Sequence, residues 1–262
     1  MLESYSNNRR IKNLKEANKR KRRKITFFFV LSIITVVVSL TTSFYFAIKM
    51  FVELGESKES EDECSFLQKI GNENDSETQH VKKRENENLN KNHESLLKEN
   101  KDYIGWMFVN GINVDLPIVK CNNNEKYLNT SFRGRANKMG AIFMDCDCSS
   151  NFDFPITTIY GHTNVNYGGM FTSLHNLKQN DETFITIETK SKELFTFKVF
   201  SIKKTTVKDE IYSLNIKDEK DAIKVLGENV TSYKKVLVLS TCGTGSDLNE
   251  RFLVLATLVD KK

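Results

Sequence analysis

An uncharged apolar stretch from Ile25 to Ile48 constrains the fold of this chain more than any other feature. The stretch reads ITFFFVLSIITVVVSLTTSFYFAI and is long enough to cross a bilayer, because about 20 helical residues rising about 1.5 Å each span the apolar layer. A cleaved signal peptide would have a shorter apolar region, about 7–15 residues, ending at a small-x-small site. The sequence has no convincing A-x-A site here, so it predicts a retained transmembrane anchor over residues 25–48.

Basic residues crowd immediately before this anchor. They are Arg9, Arg10, Lys12, Lys15, Lys19, Arg20, Lys21, Arg22, Arg23 and Lys24. The formal net charge of the whole chain is +5, so the remainder is close to neutral or mildly acidic. A basic cluster can indicate nucleic-acid binding, but a cluster that abuts an apolar span favours a membrane. Because such clusters stay in the cytoplasm, we expect residues 1–24 inside the cell membrane and the chain after about Lys49 outside it.

Residues 49–101 are mostly polar and charged. Runs such as SKESEDE and NENDSE carry too few apolar side chains to offset the entropy lost on folding. We expect a polar stalk here, with a helix leading into the following domain, because Leu89, His93, Leu96 and Leu97 recur at near-helical spacing. The catalytic domain is then expected at 102–262.

Short β-type runs fill the chain from Trp106 onward. Asn110-Gly111 predicts a tight hairpin between the first two runs, and Pro117 places the second at an edge or bulge. The predicted strands are Met107–Val109, Ile112–Val119, Gly140–Asp145, Ile156–Tyr160, Thr183–Glu188, Leu194–Lys203, Lys235–Thr241 and Arg251–Val259. Two short helices are expected, near 170–177 and over 218–230. The pattern predicts a mainly β fold: a closed or nearly closed barrel of about eight strands with a few short helices.

Three side chains at the ends of these strands could carry chemistry together. Cys242 follows the apolar run VLVLST, and His162 follows ITTIY and a glycine. A cysteine and a histidine suffice for thiol acyl transfer, in which the thiolate attacks and the imidazolium protonates the leaving amine. Arg251 begins the strand after Cys242, and its fixed charge could face the thiolate and an oxyanion. Each residue alone has an ordinary structural explanation, but their shared position at strand ends favours a site.

The remaining cysteines and histidines offer weaker candidates. Cys146 and Cys148 are two residues apart, which is poor evidence for a metal site, and the five cysteines leave at least one unpaired. His80 and His93 fall in the predicted stalk, and His175 falls on a short helix. We therefore expect no metal and no other cofactor.

Several motifs in order resemble a class B sortase of Gram-positive bacteria over about Tyr103 to Asp260. LSTC at 239–242 is similar to the sortase motif TLxTC, although its opening Thr is missing. YGHTNVNYGGMF at 160–171 is similar to the segment that carries the catalytic histidine, and ERFLVLATLV at 250–259 to the strand that opens with the sortase arginine. The runs GWMFVNGINVDLPIV, KYLN and GAIFMD look like the first barrel strands. Gly243 departs from the pattern, since an acidic residue is common there.

The resemblance implies a sortase-like β-barrel and a two-step transpeptidation. Cys242 would be the nucleophile, His162 the proton carrier and Arg251 the oxyanion ligand, with Ser240 and Thr241 as candidate substrate-binding residues. The implied partners are secreted proteins with a C-terminal sorting signal such as NPQTN, a peptidoglycan amine and membrane lipid, but no nucleic acid. A secreted cysteine protease and a non-catalytic surface-binding domain are the alternatives.

Overall fold

The computed structural model describes residues 2–72, 89–164, 169–179, 182–212, 216, 218–226, 235–244, 247 and 249–262. The chain divides into two compact units, Met1–Glu53 and Leu54–Lys262. The first unit consists of the N-terminal part of helix α1, which covers Leu2–Gly71. Within the described residues, α1 is the one helix long and apolar enough to cross a membrane. The structure thus contains the apolar helix that the sequence predicts, while the boundaries 1–24, 25–48, 49–101 and 102–262 stay a prediction.

The second unit is built around a closed β-barrel. Among the described residues, eight strands form it: β1 (Tyr103–Val109), β2 (Val114–Val119), β3 (Phe143–Met144), β4 (Ile156–Tyr160), β5 (Phe184–Thr189), β6 (Leu194–Thr206), β7 (Val236–Cys242) and β8 (Glu250–Lys261). Around the barrel they follow the order β1-β2-β3-β4-β7-β8-β6-β5. The prediction of a mainly β, sortase-like barrel of about eight strands with a few short helices is therefore confirmed.

Short helices fill the connections between strands. They are α2 (His93–Glu99), α3 (Glu219–Leu226) and three 3-10 helices, η1 (Lys126–Leu128), η2 (Thr172–Asn176) and η3 (Glu210–Tyr212). The helix expected near 170–177 is present as η2, with Leu174 fully buried. The helix expected over 218–230 is described as α3, and its last residues lie outside the described residues. The part of the predicted lead-in helix before Leu89 also lies outside them.

The hairpin between β1 and β2 is longer than the sequence predicts. Val109 pairs with Val114, so four residues connect the strands instead of the two in an Asn-Gly turn. The reason is that Asn110 bonds to the start of β5: its backbone N–H donates to the Phe184 carbonyl (3.1 Å), and its side-chain oxygen accepts from the Phe184 N–H (2.6 Å). Asn110 therefore belongs to a junction of three strands.

The barrel has an apolar interior and an apolar outer layer on part of its wall. Alternate residues of β7 point inward, so Leu237 and Leu239 join the interior cluster. Val236 and Val238 point to the other side, where they pack with residues of η3 and α3 such as Ile211 and Ala222. Because both faces of β7 are covered, the side chains on both faces of this strand are apolar, as the sequence indicates.

The end of α1 belongs to the core of the second unit. Leu67 is 2% exposed and packs in a cluster with Leu96, Tyr103 and Trp106. Gln68 donates a hydrogen bond from Nε2 to the Asp115 carbonyl (3.0 Å). The sequence predicts a polar stalk over residues 49–101. The residues just before Gly71 instead bury apolar side chains in the core of the second unit.

We expect Leu67→Ala to destabilise the fragment Leu54–Lys262 by about 2–4 kcal/mol, because removing a buried leucine side chain loses its transfer free energy and leaves a cavity. Urea denaturation measures this free energy. The matched control is Ser65→Ala, two residues away on the exposed side of α1, which should change the stability by less than about 0.5 kcal/mol. Equal stabilities for the two variants would show that Leu67 of α1 contributes nothing to the hydrophobic core.

Candidate active site

His162, Cys242 and Arg251 lie in one row across three neighbouring strands. β4 and β7 are parallel, and their last aligned pair is Tyr160 with Ser240. His162 and Cys242 each follow two residues later, at equivalent positions on the same face, because side chains alternate with a period of two. On the other side of β7, Cys242 is the direct antiparallel partner of Arg251. The backbone of Cys242 thus lies between the end of β4, which leads to His162, and Arg251 on β8.

This row lies on the outer side of the barrel wall. Cys242 lies on the same face of β7 as Val236 and Val238, which pack outside the barrel with η3 and α3. Leu253, two residues after Arg251, belongs to the same outer cluster. Neither η3 nor α3 covers Cys242 completely, since its side chain is only partly buried. The nucleophile candidate is therefore held by a buried strand yet reachable from solvent.

Backbone contacts hold the histidine segment in place. The Gly161 N–H donates to the Ser240 carbonyl (3.2 Å), and the Phe171 N–H donates to the His162 carbonyl (2.9 Å). A β-carbon at position 161 would lie 2.7 Å from the Phe171 ring, so only glycine fits there. The His162 Nε2 lies 2.7 Å from the Leu128 carbonyl oxygen. A carbonyl can only accept, so this nitrogen carries hydrogen and donates to η1 rather than to the thiol.

Ser240 and Thr241 are nearly fully buried, and their hydroxyls have protein partners. The Ser240 Oγ lies 2.8 Å from the Tyr212 hydroxyl, on the same face as Cys242. The Thr241 Oγ1 lies 2.7 Å from the Thr163 Oγ1 on the opposite face. The two residues therefore support the strand beneath the nucleophile, and their predicted contact with substrate stays a prediction.

Glu250 fills the space beside Gly243. A side chain at position 243 would meet the Glu250 carboxylate at 2.5 Å, and the Gly243 N–H donates to the Glu250 carbonyl (2.9 Å). Glu250 comes from β8, directly before Arg251. A carboxylate thus lies beside the residue that follows Cys242, because the absence of a β-carbon at Gly243 leaves room for it.

His175 is a part of this region that the sequence reasoning missed. Its Nε2 lies 3.2 Å from the Cys242 carbonyl oxygen and 3.1 Å from the Thr163 Oγ1. Burial lowers the pKa of His175 below its ordinary value, and nearby Lys204 adds to the shift. No spacing rule relates position 175 to position 242, so only the barrel topology reveals the contact.

The other cysteines lie apart from the row. Within the described part of the chain, all five cysteines are free. Burial raises the pKa of Cys148 to about 11, so its thiol stays protonated and weakly nucleophilic at neutral pH. Asp145, Cys146 and Asp147 bring possible metal ligands within 4.8 Å of one another. The Asp145 carboxylate, however, already accepts hydrogen bonds from Tyr160 (2.8 Å) and Asn124 (3.0 Å).

Comparison with known proteins agrees with the fold. The sortase domain family matches residues 107–259. A sortase B of Staphylococcus aureus is 32% identical over 181 residues, which cover 63% of this chain and 74% of that protein. The chain belongs to the class B sortases. It is therefore a sortase-type transpeptidase, as the resemblance of its motifs implies.

Solved structures of sortase B share the barrel. Sortase B of Clostridium perfringens superposes with a TM-score of 0.56 at 27% identity, covering 64% of this sortase and 99% of that chain. A substrate complex of the Staphylococcus aureus enzyme also has a TM-score of 0.56, at 29% identity and with coverage of 64% and 84%. A sortase B complexed with triglycine gives 0.56 at 29% identity, with coverage of 64% and 85%.

Proposed function

We propose that this sortase cleaves a C-terminal sorting signal after threonine and joins the protein to a cell-wall amine through a thioacyl intermediate. The observation that carries the proposal is the position of Cys242 opposite Arg251 on β8 and beside the end of β4, which leads to His162. The Cys242 thiol gives its proton to His162, and the resulting thiolate attacks the threonine carbonyl carbon to form a tetrahedral oxyanion. The C–N bond then breaks, and the leaving amine takes a proton from His162.

The second step reverses the proton transfer. An incoming amine attacks the thioester carbon, His162 takes a proton from it, and the C–S bond breaks to release Cys242. His162 can donate or accept at this point only after its Nε2 leaves the Leu128 carbonyl or if Nδ1 acts instead. Leu128 lies at the end of a short 3-10 helix and is 37% exposed.

We assign Arg251 to the oxyanion. The guanidinium presents several donors in a fixed plane and stays charged at any physiological pH. Its Nη1 donates to the Glu250 carbonyl (2.9 Å), which anchors one edge of the plane next to its own backbone. The same side of β8 faces Cys242, so a carbonyl oxygen of the substrate bound at the thiol would lie within reach.

The substrate is a peptide of the sorting-signal class, such as NPQTN or a related signal ending in TG or TN. The resemblance to class B enzymes supports this, together with the solved substrate complex of the Staphylococcus aureus relative. A second sortase B structure contains triglycine, which supports a peptide amine as acceptor. In this proposal the threonine of the sorting signal binds above Ser240. The hydrogen-bonded pair of Tyr212 and Ser240 then forms the bottom of the substrate site.

A membrane anchor would keep this active site at the outer surface of the cell. The apolar helix α1 and the basic residues before it support a single span with the N-terminus in the cytoplasm. Membrane lipid is then the partner of residues 25–48, and the catalytic unit meets secreted proteins as they emerge.

Reaction type can be tested with a peptide and an amine. The enzyme should cleave a quenched NPQTN peptide and, with triglycine added, should form a ligated product that mass spectrometry identifies. Cys242→Ala should abolish both activities, while Cys148→Ala, the matched thiol control, should keep them. Cleavage with no ligation at any triglycine concentration would make the protein a protease, and no reaction at all would favour a binding domain.

The role of Arg251 predicts a loss of rate without a loss of stability. Arg251→Ala should lower kcat by about 10²–10³, the usual cost of losing one oxyanion donor. Arg251→Lys keeps the charge but loses the planar fork, so it should not restore normal activity. Lys261→Ala removes a cation from the far end of the same strand and serves as the control. Melting temperatures should stay within a few degrees. A large drop in Tm, with activity that merely tracks the folded fraction, would make Arg251 structural.

The proposed orientation predicts which part of the chain a protease can reach. Protease added to intact protoplasts should digest the catalytic unit and leave a short fragment that contains the basic N-terminus. Western blots with an N-terminal tag and an antibody to the catalytic unit measure the two parts. Protection of the catalytic unit until the membrane is permeabilised would contradict the assigned orientation.

A further inference from the structure

The catalytic ends of β4 and β7 extend beyond the ladder that pairs these two strands with each other. The last paired residues are Tyr160 and Ser240, and the last backbone hydrogen bond between the strands joins Gly161 to Ser240 (3.2 Å). His162 and Cys242 both come after this point. Something other than the ladder of these two strands must fix their spacing, since a catalytic pair depends on alignment within about 1 Å.

Side chains of Thr163, Thr241 and His175 connect the two ends. The hydroxyls of Thr163 and Thr241, which neighbour the catalytic residues in sequence, lie 2.7 Å apart. The His175 Nε2 lies 3.1 Å from the Thr163 hydroxyl and 3.2 Å from the Cys242 carbonyl oxygen. One imidazole nitrogen therefore contacts the residue after His162 and the backbone of the nucleophile itself.

Hydrogen-bond roles follow from the acceptor at Cys242. A carbonyl oxygen can only accept, so Nε2 carries the hydrogen and shares it between Cys242 and Thr163. The Thr163 hydroxyl is then free to donate to Thr241. The ring itself is fixed by packing, because its centroid lies 4.3 Å from that of Phe252 on β8. His175 thus contacts the ends of β4 and β7 and the start of β8, the three strands of the site.

The charge state suits this role. Burial lowers the pKa of His175 and Lys204 adds to the shift, while the hydrogen bond to the Cys242 carbonyl and the nearby Glu250 carboxylate oppose it. The net lowering favours the neutral ring. The neutral ring also has one fixed donor, whose direction is set by Phe252 on one side and η2 on the other. A neutral donor held in this way suits a role in positioning the residues it contacts rather than a role in proton transfer.

We propose that His175 is a positioning residue for transpeptidation: by bridging Thr163 and the Cys242 carbonyl, it fixes the distance between the catalytic histidine and the nucleophile. The inference rests on the roles given to Cys242 and His162 in the proposed function. His175 does not touch the substrate. It acts through the backbone of Cys242 and through the residue next to His162, and its η2 helix serves as the support.

Three substitutions separate the hydrogen bond from the packing. His175→Phe keeps a ring against Phe252 and loses the donor, so kcat should fall about tenfold or more while KM stays within about twofold. His175→Gln keeps an N–H donor and should stay within about threefold of the wild-type kcat. Ser173→Ala, on the same η2 helix, removes a hydrogen bond to the Asn113 carbonyl away from the site and serves as the matched control.

A second readout does not need turnover. A methanethiosulfonate reagent should modify Cys242 at a rate that differs several-fold between His175→Phe and Ser173→Ala, because loss of the hydrogen bond to the Cys242 carbonyl changes how the thiol is held. Peptide mass spectrometry assigns the labelled cysteine. If the wild type shows no transpeptidation, the proposed function fails, while the labelling comparison still tests the positioning role.

The results that overturn the inference are specific. Wild-type kcat and labelling in His175→Phe would show that the donor is unnecessary. Equal losses in the Phe and Gln variants would show that an N–H donor at this position does not preserve activity, so the hydrogen bond is not what positions the pair. A loss of kcat that matches a loss of folded protein, measured by melting in the same buffer, would make His175 an ordinary structural residue.

Discussion

The parallel pairing of β4 with β7 is the interaction on which the rest of the site depends. These strands are far apart in the sequence, yet their register brings Tyr160 beside Ser240 and leaves His162 and Cys242 at matching positions beyond. The antiparallel pairing of β7 with β8 then adds Arg251 directly opposite Cys242. A shift of one residue in either register would move a catalytic side chain to the opposite face of the wall.

Burial on both sides of β7 keeps this register in place. Inward residues pack into the barrel, and outward residues pack under η3 and α3. Because each face packs its own set of side chains, a slipped strand would exchange leucines and valines between the two layers and lose the fit of both. The outer layer ends at Tyr212, whose hydroxyl contacts Ser240, and the next outward residue is the partly exposed Cys242. The buried part of β7 therefore stops just before the nucleophile.

Side-chain hydrogen bonds connect the chain where the backbone pairing of β4 with β7 ends. Past the last ladder bond, the contacts among Thr163, Thr241 and His175 link the chain segments that carry the histidine and the cysteine. On the other side, the Glu250 carboxylate occupies the space left open by Gly243. The resulting site combines a rigid wall with a small polar network at its rim, an arrangement that holds reacting groups in place without burying them.

The sequence by itself determined the elements and most of the candidate site. Alternating and continuous apolar runs predicted the strands, since side-chain periodicity is a local property, and an uncharged stretch of sufficient length predicted the apolar helix. Cys242, His162 and Arg251 were recognised because each follows or begins a strand. Tertiary structure decided what no local pattern encodes: the four-residue hairpin set by Asn110, the burial of Leu67, and the approach of His175 to Cys242. The Asn110 and His175 contacts join residues 74 and 67 positions apart in the chain, so their geometry exists only after the barrel has closed.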